Sequence, residues 1–497
     1  MTTPQISEKR ASPGAGPVYV YIWFDIEDYV TEESDDLPLV AASILEKYGA
    51  KATCKMVAEK VRVLLERERR DVISAIAHHD VGYHLDTHSR HPVVYEYLAH
   101  EDTLDGADEF ARKESQGLAL VEKTFSRRAS CYGHPGPAWA SHYYPAMKNM
   151  GISVYLDETP ILNLSNGPYW YCGILNLNGA NENFVKFDYT FESPEGLQKL
   201  KAQFREIHER LAGEGGGSVS FLFHLHTAIN KEFWDAVNFA HGQNRTKDEY
   251  VRPPAQPREV TERAWGDLDA MMAYMSSFED VRFITATDAL TLFRTSRPTF
   301  DKAMLGSALA QLGDGEVRYV EVGDDFASPS ELLYLIVKGI SSLSATGRFE
   351  PTRAKEPLGP KVSRDLPPPS PRSVKAKDLV AASTRLVTEI DHAGRLPAAV
   401  DLGDGTSLPI ADFMVAAAKV LGPMLAGTPV PPEVEITGAR FVQSRFVRPE
   451  EFEKACRWVV LPEGFSAPRI LEEIVRQTWT LRPAVMVGAG TAGRRAS

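Results

Sequence analysis

Val18-Tyr19-Val20-Tyr21-Ile22-Trp23-Phe24-Asp25 is a run of β-branched and aromatic side chains that ends on a carboxylate. Such a run reads as a buried β-strand. Asp35, Asp36 and Pro38 then make a helix start, with Leu39, Ala42, Leu45 and Tyr48 at helical spacing until Gly49 stops it. Ala52–Val57 reads as a second strand. Val61, Leu64, Leu65, Val72, Ile73 and Ile76 form a broken helical pattern that runs to Ala77. Strand, helix, strand, helix in this order predicts a parallel α/β sheet or barrel. Ile152–Leu156, Val219–His224 and Val281–Ile284 continue the strands, and a helix over Asp288–Phe293 closes the first domain.

The chain has 497 residues, enough for two to four domains, with 43% hydrophobic and 25% charged residues. A formal net charge of −12 argues against non-specific binding to nucleic acid or to an anionic membrane. Four scattered cysteines fit a reducing compartment. No apolar leader and no span-length apolar stretch is visible, so a cytoplasmic location is expected.

Beyond Arg297 the character changes. V-E-V-G-D-D from Val320 precedes an apolar helix over Pro329–Gly339, and V-D-L-G-D-G from Val400 precedes a similar helix over Ile410–Leu421. A fainter copy starts at Val434. The expected organisation is a flexible tail over 1–17, a catalytic domain over 18–296 and a first C-terminal repeat over 297–350. A Pro-rich linker follows over 351–373, then a repeat region over 374–482 and a disordered tail over 483–497.

Three clusters carry chemistry. Asp25, Glu27 and Asp28 crowd one strand end; taken alone they read equally as a solvated acidic turn. The stretch from His78 to Pro92 holds His78, His79, His84, His88 and His91 with Asp80 and Asp86, in the loop after a helix. His84 and His88, at i and i+4, would share one face of a helical turn, a spacing that suits a metal. His224 and His226 end an apolar strand and share a face by period 2, as a general acid at a barrel mouth would.

In order and spacing these stretches resemble the polysaccharide deacetylases of the NodB-homology type. Trp23-Phe24-Asp25-Ile26-Glu27-Asp28 stands where that family has T-F-D-D-G, and Ala52-Thr53-Cys54-Lys55 looks like its A-T-F-F strand. His78 to His88 is similar to G-H-E-I-G-N-H-T-Y-S-H, Leu222-Phe223-His224 to a late L-L-H strand, and Phe283-Ile284-Thr285 to F-V-T. Two departures stand out. The first motif is D-x-E-D, and Tyr132-Gly133-His134-Pro135-Gly136-Pro137 lacks the arginine usual before Pro. Residues 378–397 with V-D-L-G-D-G look like pseudomurein-binding repeats, which implies a glycan contact.

The resemblance implies an α/β fold, a distorted (β/α) barrel with a smaller α+β C-terminal repeat region. It implies a divalent metal, zinc expected, on Glu27 (or Asp28), His84 and His88. Asp25 would be the base and His224 (or His226) the acid, with a backbone N–H near Gly136 at the oxyanion. The implied activity removes an acyl group, acetyl expected, from an amide nitrogen of a saccharide. The rivals are an amidohydrolase on a small non-sugar amide or ureide, and an inactive glycan-binding protein. Every such residue lies at or before His226, so a chain ending near Arg297 is expected to fold and to act by itself.

Overall fold

The computed structural model describes residues 16–164, 167–177, 182–293, 297–313, 315–361, 371–403 and 405–487. Most of the expected tails (1–15 and 488–497) and the middle of the expected linker (362–370) lie outside the described residues.

The opening run is the central strand β1 (Val18–Ile26). It pairs in parallel with β2 (Thr53–Met56), and β2 with β3 (Asp80–Tyr83). Single bridges carry the sheet from Tyr83 through Tyr132 to Tyr155, in β4 (Val154–Tyr155). A hairpin of β5 (Tyr169–Tyr171) and β6 (Ile174–Asn176) extends that edge. On the other side of β1 lie β7 (Phe184–Lys186) and β8 (Gly217–Phe223), in the order β1-β8-β7. β9 (Val281–Ile284) pairs with the first half of β1. Among the described residues no pairing joins β7 to the hairpin, so this barrel-like sheet stays open there.

Both faces of β1 are buried, which is why its sequence is a continuous apolar run and not an alternation. Val18, Val20, Ile22 and Phe24 face the surrounding helices in the main core. Tyr21 and Trp23 point the other way, into an interior cluster with Leu222, Val154, Leu156 and Leu175. Trp23 Nε1 donates to Ser220 Oγ at 2.8 Å inside that floor. By period 2, Asp25 continues the interior face one step above Trp23.

The sequence expectations need two corrections here. β3 was not foreseen: Asp80-Val81-Gly82-Tyr83 is short and carries a glycine and an aspartate, both poor strand formers. The stretch does begin after a helix, at His78 and His79, but His84, His88 and His91 follow the strand. The second correction is at the C-terminus. Helices over Pro329–Thr346, Ala376–Ala393 and Ile410–Ala426 build a second core. A hairpin stands before two of them, over Val320–Ala327 and Ala399–Pro409, with Gly323 and Gly403 at positive φ in the turns. Apart from Trp479, the residues of that core end at Phe441. The chain then returns: Val447, Phe452, Val460, Ile470, Ile474 and Leu481 belong to the first core, and Arg482-Pro483 pairs with β5. The region expected over 374–482 is thus divided between two cores. The cause is the helix Pro468–Gln477, whose buried stripe of Ile470, Glu473, Ile474 and Gln477 meets the sheet's side of the molecule.

A chain ending near Arg297 should therefore lose cooperative folding, contrary to the expectation from site residues alone. A melting curve of that truncation checks this; a sharp transition matching the full chain would refute it. Ile474→Ala in the full chain should cost about 2–5 kcal/mol, as core truncations do.

Candidate metal centre and active site

The ladder registers set four strand ends in one row. Asp25 pairs with Lys55, Phe24 with Phe223, and Lys186 with Leu222. One step on, Asp188, His224, Asp25 and Lys55 stand side by side at the ends of β7, β8, β1 and β2. His224 Nδ1 donates to Asp188 Oδ2 at 2.6 Å, and its backbone N–H reaches Asp188 Oδ1 at 2.8 Å. His224 Nε2 lies 3.2 Å from Asp25 Oδ2. Lys55 Nζ, with its side chain fully buried, lies 2.9 Å from Asp25 Oδ1 and 2.5 Å from Asp157 Oδ2. Gly133 makes room for that amine: a Cβ there would fall on Lys55 Nζ and the Asp157 carboxylate.

Beside this row Glu27 meets two imidazoles. Its Oε2 lies 3.3 Å from His84 Nε2 and 3.0 Å from His88 Nε2. One ligand atom from each of Glu27, His84 and His88 lies within 4.8 Å of the others. The other ring nitrogens are engaged. His84 Nδ1 lies 3.0 Å from the Gly133 carbonyl. His88 Nδ1 lies 2.6 Å from Ser89 Oγ, which donates to Asp235 at 2.9 Å. Such outer bonds leave each Nε2 with its lone pair turned inward. His88 Nε2, though close to Glu27, is not aligned for a hydrogen bond and is otherwise unpartnered. Lone pairs that converge on a buried carboxylate fit a cation, and two His with one Glu are a zinc-type donor set.

The i, i+4 spacing brings the two rings together, but not on a helix. His84 continues β3 with its N–H on the Met56 carbonyl, and the chain then turns through Leu85 and His88 at φ 70° and 60°. Left-handed residues other than glycine cost of order 1–3 kcal/mol. Bonds from Ala58 N to Leu85 O (3.0 Å) and Glu59 N to Asp86 O (2.8 Å) hold the turn. His224 and His226 likewise share no strand, because β8 ends at Phe223 and residues 225–228 coil into a 3₁₀ turn.

Burial works to raise the Asp25 carboxyl, but Lys55, His84 and His224 more than offset it and hold it below the usual range. Glu27 is also lowered despite burial, chiefly by His88 and His84. Burial disfavours a charged His224, yet Asp188 and Asp25 raise it well above its ordinary 6.5. His226 goes the other way: burial lowers it, and neither ring nitrogen has a hydrogen-bond partner. Asp157 is raised by burial and by Asp25, since one lysine serves two carboxylates.

Asp28 stands apart from the ligand trio. Its Oδ1 accepts from Val30 N (3.0 Å) and Thr31 N (2.9 Å), and its Oδ2 from Asn230 Nδ2 (3.0 Å). The remaining histidines of that motif are elsewhere: His78 on Ser74 O, His79 on Ala52 N, and His91 on Glu96. Sequence reasoning missed Lys55, Asp157, Asp188 and Asp235. A signal existed for two of them. Val154-Tyr155-Leu156-Asp157 and Val185-Lys186-Phe187-Asp188 end short strands on Asp, as Trp23-Phe24-Asp25 does. Asp25, Glu27, His84, His88, Asp157, His224 and Asp235 open on one pocket of about 850 Å³.

No family model and no curated protein matches the chain. Solved structures do. A protein described as a polysaccharide deacetylase from Mycobacterium smegmatis is 14% identical over 57% of this chain and 92% of its own, with a TM-score of 0.36. Puue allantoinase is 11% identical over 58% and 92%, TM-score 0.38. A family 4 acetyl xylan esterase from Clostridium thermocellum, solved with a cobalt ion, is 13% identical over 55% and 90%, TM-score 0.30. The pseudomurein-repeat likeness of residues 378–397 gains no support from these matches.

Protein purified without chelator should carry one divalent ion per chain by elemental analysis. His84→Ala and His88→Ala should each lose it, and Asp28→Asn should keep it. Loss in Asp28→Asn with retention in His88→Ala would put the ion elsewhere.

Proposed function

We propose that the chain is a divalent-metal hydrolase that removes an acyl group, acetyl in the simplest case, from an amide nitrogen of a saccharide. The observation that carries this reading is a division of labour within one pocket. A Glu27–His84–His88 donor set stands next to a separate Asp25–His224 pair whose facing atoms are 3.2 Å apart. Three protein ligands leave positions open for water and substrate, as catalytic sites need.

A divalent cation, zinc by its donor set, supplies Lewis acidity to the acyl carbonyl and to the attacking water when bound. The remaining work falls to the chain's own groups. Asp25, kept ionised by Lys55, accepts the proton of the attacking water. Gly136 lines the pocket, and its backbone N–H is the candidate donor to the oxyanion. His224, protonated and held by Asp188, delivers a proton from Nε2 to the leaving nitrogen, because an unprotonated amine leaves poorly. His226, poorly basic and outside the pocket lining, is unsuited to that task. The products are a free amine and a carboxylate.

The test is release of acetate from N-acetylated sugars and small amides by metal-loaded protein. Asp25→Asn and His224→Ala should each lower turnover by at least about 100-fold while keeping the metal. His226→Ala should cost far less; the reverse ranking would move the acid to His226. The pH profile gives a further check. His224 acts in its protonated form, so kcat/KM is full below its raised pKa and falls as pH rises through it. Asp188→Asn removes the charge that raises that pKa, so the falling limb should move to lower pH by at least about one unit. An unmoved limb would dissociate it from His224.

A further inference from the structure

The pocket has one wall that comes from far along the chain. Residues 446–460 run across its rim between two loops. Asn163 N donates to Phe446 O at 3.1 Å and Arg448 N to Ile161 O at 2.8 Å. At the other end His241 N donates to Val459 O at 2.8 Å and Gly242 N to Val460 O at 3.0 Å. Between these anchors Glu451, Lys454 and Trp458 line the pocket.

Trp458 is the feature of that wall that points to a ligand. It is only half-buried, in a molecule whose other large aromatic rings are mostly covered. Its ring lies 6.3 Å from the His88 ring, centroid to centroid, edge to face. The indole also packs against Gly136, where a Cβ would come within 2.5 Å of it. The ring is thus held between Gly136 and His88 and keeps exposed surface in the pocket lining. Lys454 and Glu451 pair with each other at 2.8 Å, so the wall carries no net charge. A neutral aromatic platform beside a polar centre suits a ring with one apolar face and polar edges. A pocket of about 850 Å³ has the size of small-molecule sites.

We propose that this wall selects the substrate. Trp458 stacks on a saccharide ring adjoining the acyl group, and the crossing segment bars continuation of the sugar chain on that side. The pocket therefore takes acylated amino sugars of one or two rings, or the end of a longer chain, and not the interior of a polymer. The proposal rests on the hydrolase reading for the position of the acyl group.

Binding and turnover together test it, on full-length metal-loaded protein with N-acetylglucosamine, its β-1,4 dimer and its hexamer. Calorimetry should find the dimer bound and the hexamer bound no more than about threefold tighter. Trp458→Ala should weaken the dimer at least tenfold and raise KM with kcat within threefold, and Trp458→Phe should restore most of the loss. A hexamer bound tenfold or more tighter than the dimer, as in an open groove, would overturn the proposal. So would unchanged affinity in Trp458→Ala, or no binding of any of the three sugars. If Trp458→Ala is unfolded by its melting curve, Glu451→Ala/Lys454→Ala serves instead; widening the wall should improve hexamer over dimer at least threefold, and no change would count against the wall. The expected binding pattern without any turnover would support the wall and sink the hydrolase reading alone.

Discussion

The site is organised around a buried ammonium. Lys55 stands between Asp25 and Asp157 with no exposed surface, and its amine lies 4.3 Å from the centre of the Trp23 ring. A lone carboxylate in such a place would cost several kcal/mol. Lys55 answers that cost for Asp25, and Asp157, sharing the same cation, is left more ready to hold a proton. The other buried acids find other partners: Glu27 has two imidazoles, Asp188 has His224, and Asp28 has backbone N–H groups. Each carboxylate therefore has a distinct electrostatic character, although all of them sit within a few side chains of one another.

This arrangement also bears on the motif that lacks an arginine. With no side chain on Gly133, β2, which lies beyond β3 in the sheet, can send an amine into the same volume. A glycine on one strand and a lysine on another form one feature in space, and they are invisible as such in a linear reading. Replacing Gly133 by any larger residue would displace the cation from Asp25.

The strongest periodic signals in the sequence correspond to the elements that hold the site. The β1 run, the helix after Pro38 and the strand ending at Phe223 stand close to where their residue types put them. Convergence of Glu27, His84 and His88 was legible from motif order, but the reason offered for it, a helical turn, was not the one the chain uses. A four-residue strand and two left-handed residues do that work, and neither leaves a periodic trace. Lys55 was hidden because a lysine inside a short strand reads as an edge residue. Asp235 was hidden because its hydrogen-bonded link to His88 runs through Ser89. The division of the C-terminal half failed for a different cause. Local hairpin-and-helix repetition is readable, but which core a later helix joins depends on contacts made hundreds of residues away.

That late return has a consequence for how the protein comes into being. Synthesis proceeds from the N-terminus at about 5–20 residues per second. The parallel strands and all of the acid, base and imidazole groups thus leave the ribosome roughly tens of seconds before Ile470, Ile474 and Leu481. Until those residues arrive, the first core is incomplete and the edge strand β5 lacks its partner at Arg482-Pro483. The nascent chain thus carries an unfinished part of its first core through the whole passage of the helical body.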